Sequence, residues 1–315
     1  MAVIGNSISE AKAILDKGEL IGLPTETVYG LGGNALIAET VSKIFEVKKR
    51  PSFDPLILHC ASMDQIEALV EEIPEKAYTL AKEFWPGPLT LLLKRKPIIP
   101  DITCSGLERA AFRIPNHKIA LKLLRSLDYP LAAPSANPFG YISPTSADHV
   151  EKQLGSDISY ILDGKISQVG IESTIVGFED DKTIVYRLGG LDVNAIESII
   201  GSVEVMPYSS SSPAAPGMLK SHYAPKKEIY LGNIEELMKE HVGKKFGILS
   251  FQKDYGRNEN VYQLSIEGDM HEAAKNLFSH LRALDDSEVE LILTETVPNQ
   301  GLGKAINDRL KRASV

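Results

Sequence analysis

Cysteine is nearly absent from this 315-residue chain, which holds only Cys60 and Cys104. Two thiols are too few for a disulfide framework or a thiolate metal site, and they suit a reducing compartment. Long hydrophobic runs are missing too: none approaches the ~20 residues that a membrane span needs. The first residues, MAVIGNSISEAKAILDKGEL, mix charges through their apolar positions, so they show no targeting pattern. A cytoplasmic location without membrane contact is the expectation. Positive charge is also short, with 34 Lys and Arg against 42 Asp and Glu for a formal net charge of −8. A protein that coats nucleic acid works by neutralising phosphates, so this balance argues against that role while allowing a local basic pocket. GxSxG, HExxH, GxGxxG and Walker patterns are all missing, so covalent hydrolysis and zinc chemistry lack their signatures.

What is present is an alternation of strand and helix patterns over a length that suits two cores. A helix is expected at 7–17, with Ser7 or Ser9 as N-cap, Ala11, Ile14 and Leu15 on one face and Gly18 as stop. Strands follow at LIGLPT, LILHC, LTLLL, AAFRIP, LAAPS and YILDG, with helices at 39–48, between 64 and 85, at 118–127 and over TSADHVEKQLG. STIVGF and KTIVYRL, split by EDD, predict an antiparallel hairpin and therefore a mixed sheet. The alternation breaks at four serines and the proline-rich PAAPGMLKSHYAP, then restarts as EIYLG, FGILSF, VYQLS and VELILT with helices between. The fold class is α/β in two units. A first domain spans 1–206, a linker 207–226, and a smaller Rossmann-like α/β domain 227–315. The polar, serine-rich boundary predicts few contacts across it. Proline stiffens such a spacer, yet Met218, Leu219, His222 and Tyr223 are more than a spacer needs.

Several stretches carry groups suited to chemistry. PTETVYGLGGNA offers two threonine hydroxyls, a tyrosine and three glycines after a strand; it reads equally as a structural turn or as a loop whose amides approach a ligand. Lys48, Lys49 and Arg50 end a helix, where bases often serve only as dipole partners. Arg113 sits in an apolar strand, where a guanidinium needs an anion: a structural carboxylate or a ligand. Ser135, Asn137, Ser143 and Thr145 lie in proline-braced turns, and capping alone accounts for Ser143 or Thr145. Ser173, Thr174 and Arg187 could be surface residues of the hairpin. His59 at a strand end reads first as a core histidine. Cations, hydroxyls and amides make an inventory of positioning groups, as phosphoryl and nucleotidyl transfer require.

In this order, PTETVYGLGGNA, KKRP with DPLILH, FWPGPLTLLL, FRIPNH, APSANPFG, ISPTSADHV, GIESTIVG and YRLGG resemble the YrdC-type domain. With PGMLKSHYAP and the second unit, residues 7 to about 312 resemble the long, two-domain threonylcarbamoyl-AMP synthase family. The resemblance implies a YrdC-like twisted mixed sheet and a nucleotidyl transfer in which L-threonine, bicarbonate and ATP, with Mg²⁺, give threonylcarbamoyl-adenylate and pyrophosphate. The tRNA threonylcarbamoyl-transfer machinery would take the product to the adenosine beside the anticodon. No organic cofactor and no covalent enzyme intermediate are implied.

Carried over by position, Thr27, His59, Arg113, Ser135 and Ser173 would surround L-threonine, with Arg113 on its carboxylate. Lys48, Arg50, Asp54, Asn137, Thr145 and Arg187 would meet the nucleotide, with Arg109 as a further phosphate neighbour. Family members commonly carry Asn where this chain has Asp54, and a carboxylate there repels phosphates unless it meets Mg²⁺ or the ribose. His222 and Tyr223 would close over the nucleotide as part of a lid. The competing reading docks both against the C-terminal domain. The rival function is an RNA-binding module of the same fold that makes no adenylate; the acidic net charge weighs against it. A weak tRNA contact stays compatible with either.

Overall fold

The computed structural model describes residues 1–179, 182–206, 215–216, 223–256 and 259–314. An 11-stranded mixed sheet runs, edge to edge, through Val3–Gly5, Tyr160–Leu162, Ile21–Leu23, Gly30–Asn34, Leu131–Ala132, Ile57–His59, Arg109–Arg113, Leu89–Lys94, Thr174–Glu179, Lys182–Arg187 and Glu204–Val205. The predicted hairpin is there, with Val185 opposite Val176 and a register shift before Arg187. Ile57–His59 runs parallel to Arg109–Arg113, placing His59 beside Arg113. A 4-stranded sheet of Glu228–Leu231, Leu291–Thr294, Phe246–Ser250 and Val261–Gln263 is wholly parallel, as the later strand and helix alternation predicts.

Local chemistry sets the element ends. Ser7 Oγ accepts from Glu10 N at 3.2 Å to start Ile8–Leu15, and Ser62 and Ser146 cap Met63–Leu69 and Ala147–Leu154 in the same way. Ala38–Lys48 stops where Lys49 turns left-handed at φ 51°, which separates the directions taken by Lys48 and Arg50. Several elements escaped the sequence reading, among them the edge strands Val3–Gly5 and Glu204–Val205, the short helix Asp101–Cys104, a further helix and a central strand. The helix Val193–Ile200 had its signal, an Asp192 cap ahead of apolar Val193 and Ile196. The segment Gly30–Asn34, read as loop, is a fully buried strand antiparallel to Ile21–Leu23. Its glycines mainly admit neighbours: a Cβ on Gly33 would lie 2.6 Å from Leu20 and 2.8 Å from Thr40 of the covering helix.

The boundary between the units is not sparse in contacts, contrary to expectation. Val28, Ile142 and Ile171 share one core with Leu277, Phe278, Leu281, Ile306 and Leu310. The Arg282 Nη2 donates to the Ile142 carbonyl at 2.7 Å. Gly170, at φ 80°, lies so close to the helix Met270–Asp285 that a Cβ would fall 2.3 Å from the Lys275 Cα. Polarity of the linker predicted little about this contact, because the surfaces that meet come from distant stretches of sequence. No helix of the described residues is long and apolar enough to cross a membrane.

Candidate active site

A cavity opens where one end of the large sheet meets three loops. Its wall includes Thr25 and Thr27 from the loop after Ile21–Leu23, Ile57 and His59 from one strand, Arg113 from the next, and Ser135 from the loop after Leu131–Ala132. Glu172 and Ser173 come from the stretch just before the hairpin, Arg187 from the end of its second strand, and Arg50, Pro216 and Tyr223 also line the cavity.

Three guanidinium groups face this space, each oriented differently. Arg113, only 3% exposed, donates from Nε to the Gly87 carbonyl at 3.2 Å and from Nη1 to Thr27 Oγ1 at 2.8 Å. Its Nη2 lies 2.6 Å from Glu26 Oε1, close enough to pair charge without hydrogen-bond alignment. Arg50 is paired with Asp54 at 2.8 Å and donates to the carbonyls of Asp54 and Pro55. Arg187 donates to the Ser173 carbonyl and Oγ, both at 3.0 Å. Arg187 is in none of the ion pairs among the described residues, but Glu172 on the same wall acts on its charge, which faces the cavity. Burial first, aided by nearby cations, lowers Arg187 to about 10, so it stays protonated at neutral pH.

The hydroxyls that accept from Arg113 and Arg187 each have a second hydroxyl beside them. Thr25 Oγ1 lies 2.9 Å from Thr27 Oγ1, and Ser173 Oγ lies 2.7 Å from Thr90 Oγ1. The His59 ring is buried, and that burial, followed by the Arg113 charge, lowers it to about 3. It therefore presents a neutral imidazole, one nitrogen of which lies 3.3 Å from the Ile57 carbonyl. The wall supplies positioned cations and hydrogen-bonding groups, and among the described residues no group of three carboxylate, imidazole or thiol ligands could hold a metal.

The family model for the Sua5, YciO and YrdC group, described as telomere recombination, matches residues 13–189. The model described as the threonylcarbamoyl-AMP synthase C-terminal domain matches 191–315. The chain belongs to the threonylcarbamoyl-AMP synthase family. It is 42% identical over 319 residues to the threonylcarbamoyl-AMP synthase of Pyrococcus abyssi, covering 96% of this chain and 93% of that one. It is 40% identical over 321 residues to that of Bacillus subtilis, covering 98% and 92%. The crystal structure of P. abyssi Sua5 complexed with L-threonine superposes with a TM-score of 0.92 at 40% identity, over 99% of this chain and 98% of that one.

Within this synthase fold, the five residues expected around L-threonine, Thr27, His59, Arg113, Ser135 and Ser173, all reach one cavity. Of those expected at the nucleotide, Arg50, Arg187 and Tyr223 line it as well. The others are placed behind the wall or away from it. Lys48 is buried and donates to the carbonyls of Ser135 and Asn137, so it braces the serine loop. Burial, then the Arg50 charge, drives its pKa well below the ordinary lysine value. Asp54 is wholly buried against Arg50, so its charge is already matched within the protein. Asn137 Nδ2 is occupied by the carbonyls of Pro138 and Tyr141. Thr145 Oγ1 lies 3.3 Å from His149 Nδ1, below the helix that Ser146 caps.

Arg109 is a correction of position: it pairs with Glu179 at 2.7 Å at the far end of its strand and is absent from the cavity wall. His222, with Met218 and Leu219, lies outside the described residues. Tyr223 docks against the smaller unit, as the competing reading expects, and is also on the cavity wall. Its ring packs 5.6 Å from Phe278 and 4.9 Å from the Arg309 guanidinium of the smaller unit. Sequence reasoning missed Glu26, Glu172 and Arg309. The first two stand inside motifs already singled out, PTETVYG and GIESTIVG, whereas Arg309 carries no local signal.

Proposed function

We propose that this cavity is where L-threonine, bicarbonate and ATP become threonylcarbamoyl-adenylate and pyrophosphate. The observation that carries the reading is the convergence of Arg50, Arg113 and Arg187 with Thr27, Ser135 and Ser173 on one cavity. The threonine amine adds to bicarbonate with loss of water, giving a carbamate. A carbamate oxygen then attacks the α-phosphate in line, and pyrophosphate carries away the bonding pair. Each step needs alignment and matched charge, which fixed guanidinium groups provide. Arg113, oriented by Glu26 and by the Gly87 carbonyl, meets the threonine carboxylate, and Thr27, Ser135, Ser173 and neutral His59 surround the rest. Arg50 and Arg187 meet the phosphates, while Lys48, Asp54, Asn137 and Thr145 act through the loops and the guanidinium that they hold. Tyr223 and His222 belong to the segment that covers the nucleotide. Mg²⁺ enters as the ATP complex. The product passes in the cytoplasm to the machinery that modifies tRNA beside the anticodon, and its synthesis requires no tRNA on this chain.

The test is pyrophosphate release from ATP, with mass detection of threonylcarbamoyl-adenylate. Release should require both threonine and bicarbonate and be indifferent to RNA. A chain that binds tRNA yet releases no pyrophosphate with all three substrates would be an RNA-binding module instead.

A further inference from the structure

The last helix, Gly303–Ala313, belongs to the smaller unit, and its Arg309 backs two residues of the cavity wall, Glu172 and Tyr223. Arg309 is fully buried. Its Nε donates to Glu172 Oε2 at 3.0 Å, its Nη1 to Asp308 Oδ2 at 2.7 Å, and its Nη2 to the Leu188 carbonyl at 2.8 Å. Its guanidinium lies 4.9 Å from the centre of the Tyr223 ring. Glu172 stands on the cavity wall beside Ser173 and Arg187, and its other oxygen accepts from Ser143 Oγ at 2.5 Å. Asp308 is shared with Arg312 Nε at 3.2 Å, so two cations and two carboxylates meet in one largely buried cluster. Such a balance is fragile: removing one partner strands a buried charge, whereas removing a matched pair need not.

We propose that Arg309 is a positioning residue of the synthase site: it neutralises Glu172 and seats the Tyr223 ring, so that phosphates meet Arg50 and Arg187 without an opposing carboxylate. The proposal rests on the reading of the cavity given above. It makes the C-terminal unit a supplier of charge balance to a pocket built by the first unit. The consequence is unequal for the two substrates. An unmatched carboxylate repels a ligand in proportion to the ligand's charge. ATP is a polyanion, while L-threonine at neutral pH is a zwitterion of no net charge.

The experiment compares the parent chain, Arg309→Gln, and Arg309→Gln combined with Glu172→Gln, all at full length. Initial rates of pyrophosphate release are measured against ATP and against threonine, and ATP affinity is titrated separately without threonine. Arg309→Gln should raise the KM and Kd for ATP at least about 10-fold and the KM for threonine less than about 3-fold. Adding Glu172→Gln should recover at least about 5-fold of the lost ATP affinity, because it removes the stranded charge. Equal losses for both substrates, or a loss that Glu172→Gln does not relieve, would mean that Arg309 serves only to dock the domains. If Arg309→Gln alone does not fold, the doubly neutral variant decides: ATP binding within about 10-fold of the parent supports the proposal and a greater loss overturns it. Pyrophosphate release by the parent without threonine would overturn the synthase reading instead, and the ATP titration would still decide the role of Arg309.

Discussion

Arg109 and Arg113 lie four residues apart on one strand, face the same side of the pleat and carry the same charge. At about 3.3 Å per residue they are about 13 Å apart, enough to put them in different surroundings. Arg113 is 3% exposed and held at three points, by Gly87, Thr27 and Glu26. Arg109 pairs with Glu179, which is itself 44% exposed at the side chain, and stacks over Tyr186 at 5.6 Å. The difference teaches that the end of the strand, more than the residue type, makes a guanidinium a ligand group. Loops 24–29 and 133–137 converge only on the Arg113 end.

Substitutions can break that comparison. The largest effect is expected for Arg113→Ala, which loses the carboxylate partner and strands Glu26. Losing one side of a buried charged contact costs about 2 to 4 kcal/mol, so the threonine KM should rise about 30- to 1,000-fold with a much smaller change for ATP. An unchanged threonine KM would show that Arg113 is structural only. Arg50→Ala should come next and act in reverse, raising the ATP requirement about 10- to 100-fold while sparing threonine. Adding Asp54→Asn should relieve part of that loss, since Asp54 then no longer stands uncompensated; steady-state rates against each substrate check both. Arg109→Ala should be the smallest, within about 1 kcal/mol in stability and less than about 3-fold in either KM, because its ion pair is solvent-screened. A thermal melt with the same rate measurements decides it, and a large ATP effect from Arg109→Ala would erase the contrast between the strand ends.

Much of the fold was legible because its cues are local. Serine caps, the stop at Gly18 and the EDD turn placed elements near where they lie. Gly30–Asn34 was not legible as a strand, since three of its five residues are glycine and nothing in its composition favours a β conformation. Its neighbours impose it: Ile21–Leu23 on one side and Leu131–Ala132 on the other. Among site residues, those at strand ends or in the adjoining loops, such as Arg113 and Ser135, were readable as a set. Lys48, Asp54 and Asn137 were readable as polar groups near that set, but their hydrogen bonds turn them toward the protein.

The sequence by itself determined the periodicities, the caps and the ordered series of motifs, and with them the fold class and the family, because each is written within a few neighbouring residues. Only the tertiary structure decided which charge meets which. Glu172 and Arg309 are separated by 136 other residues and lie 3.0 Å apart. A buried ion of either sign is tolerated only beside a partner, and that partner is set by how the two sheets and the last helix close around one core.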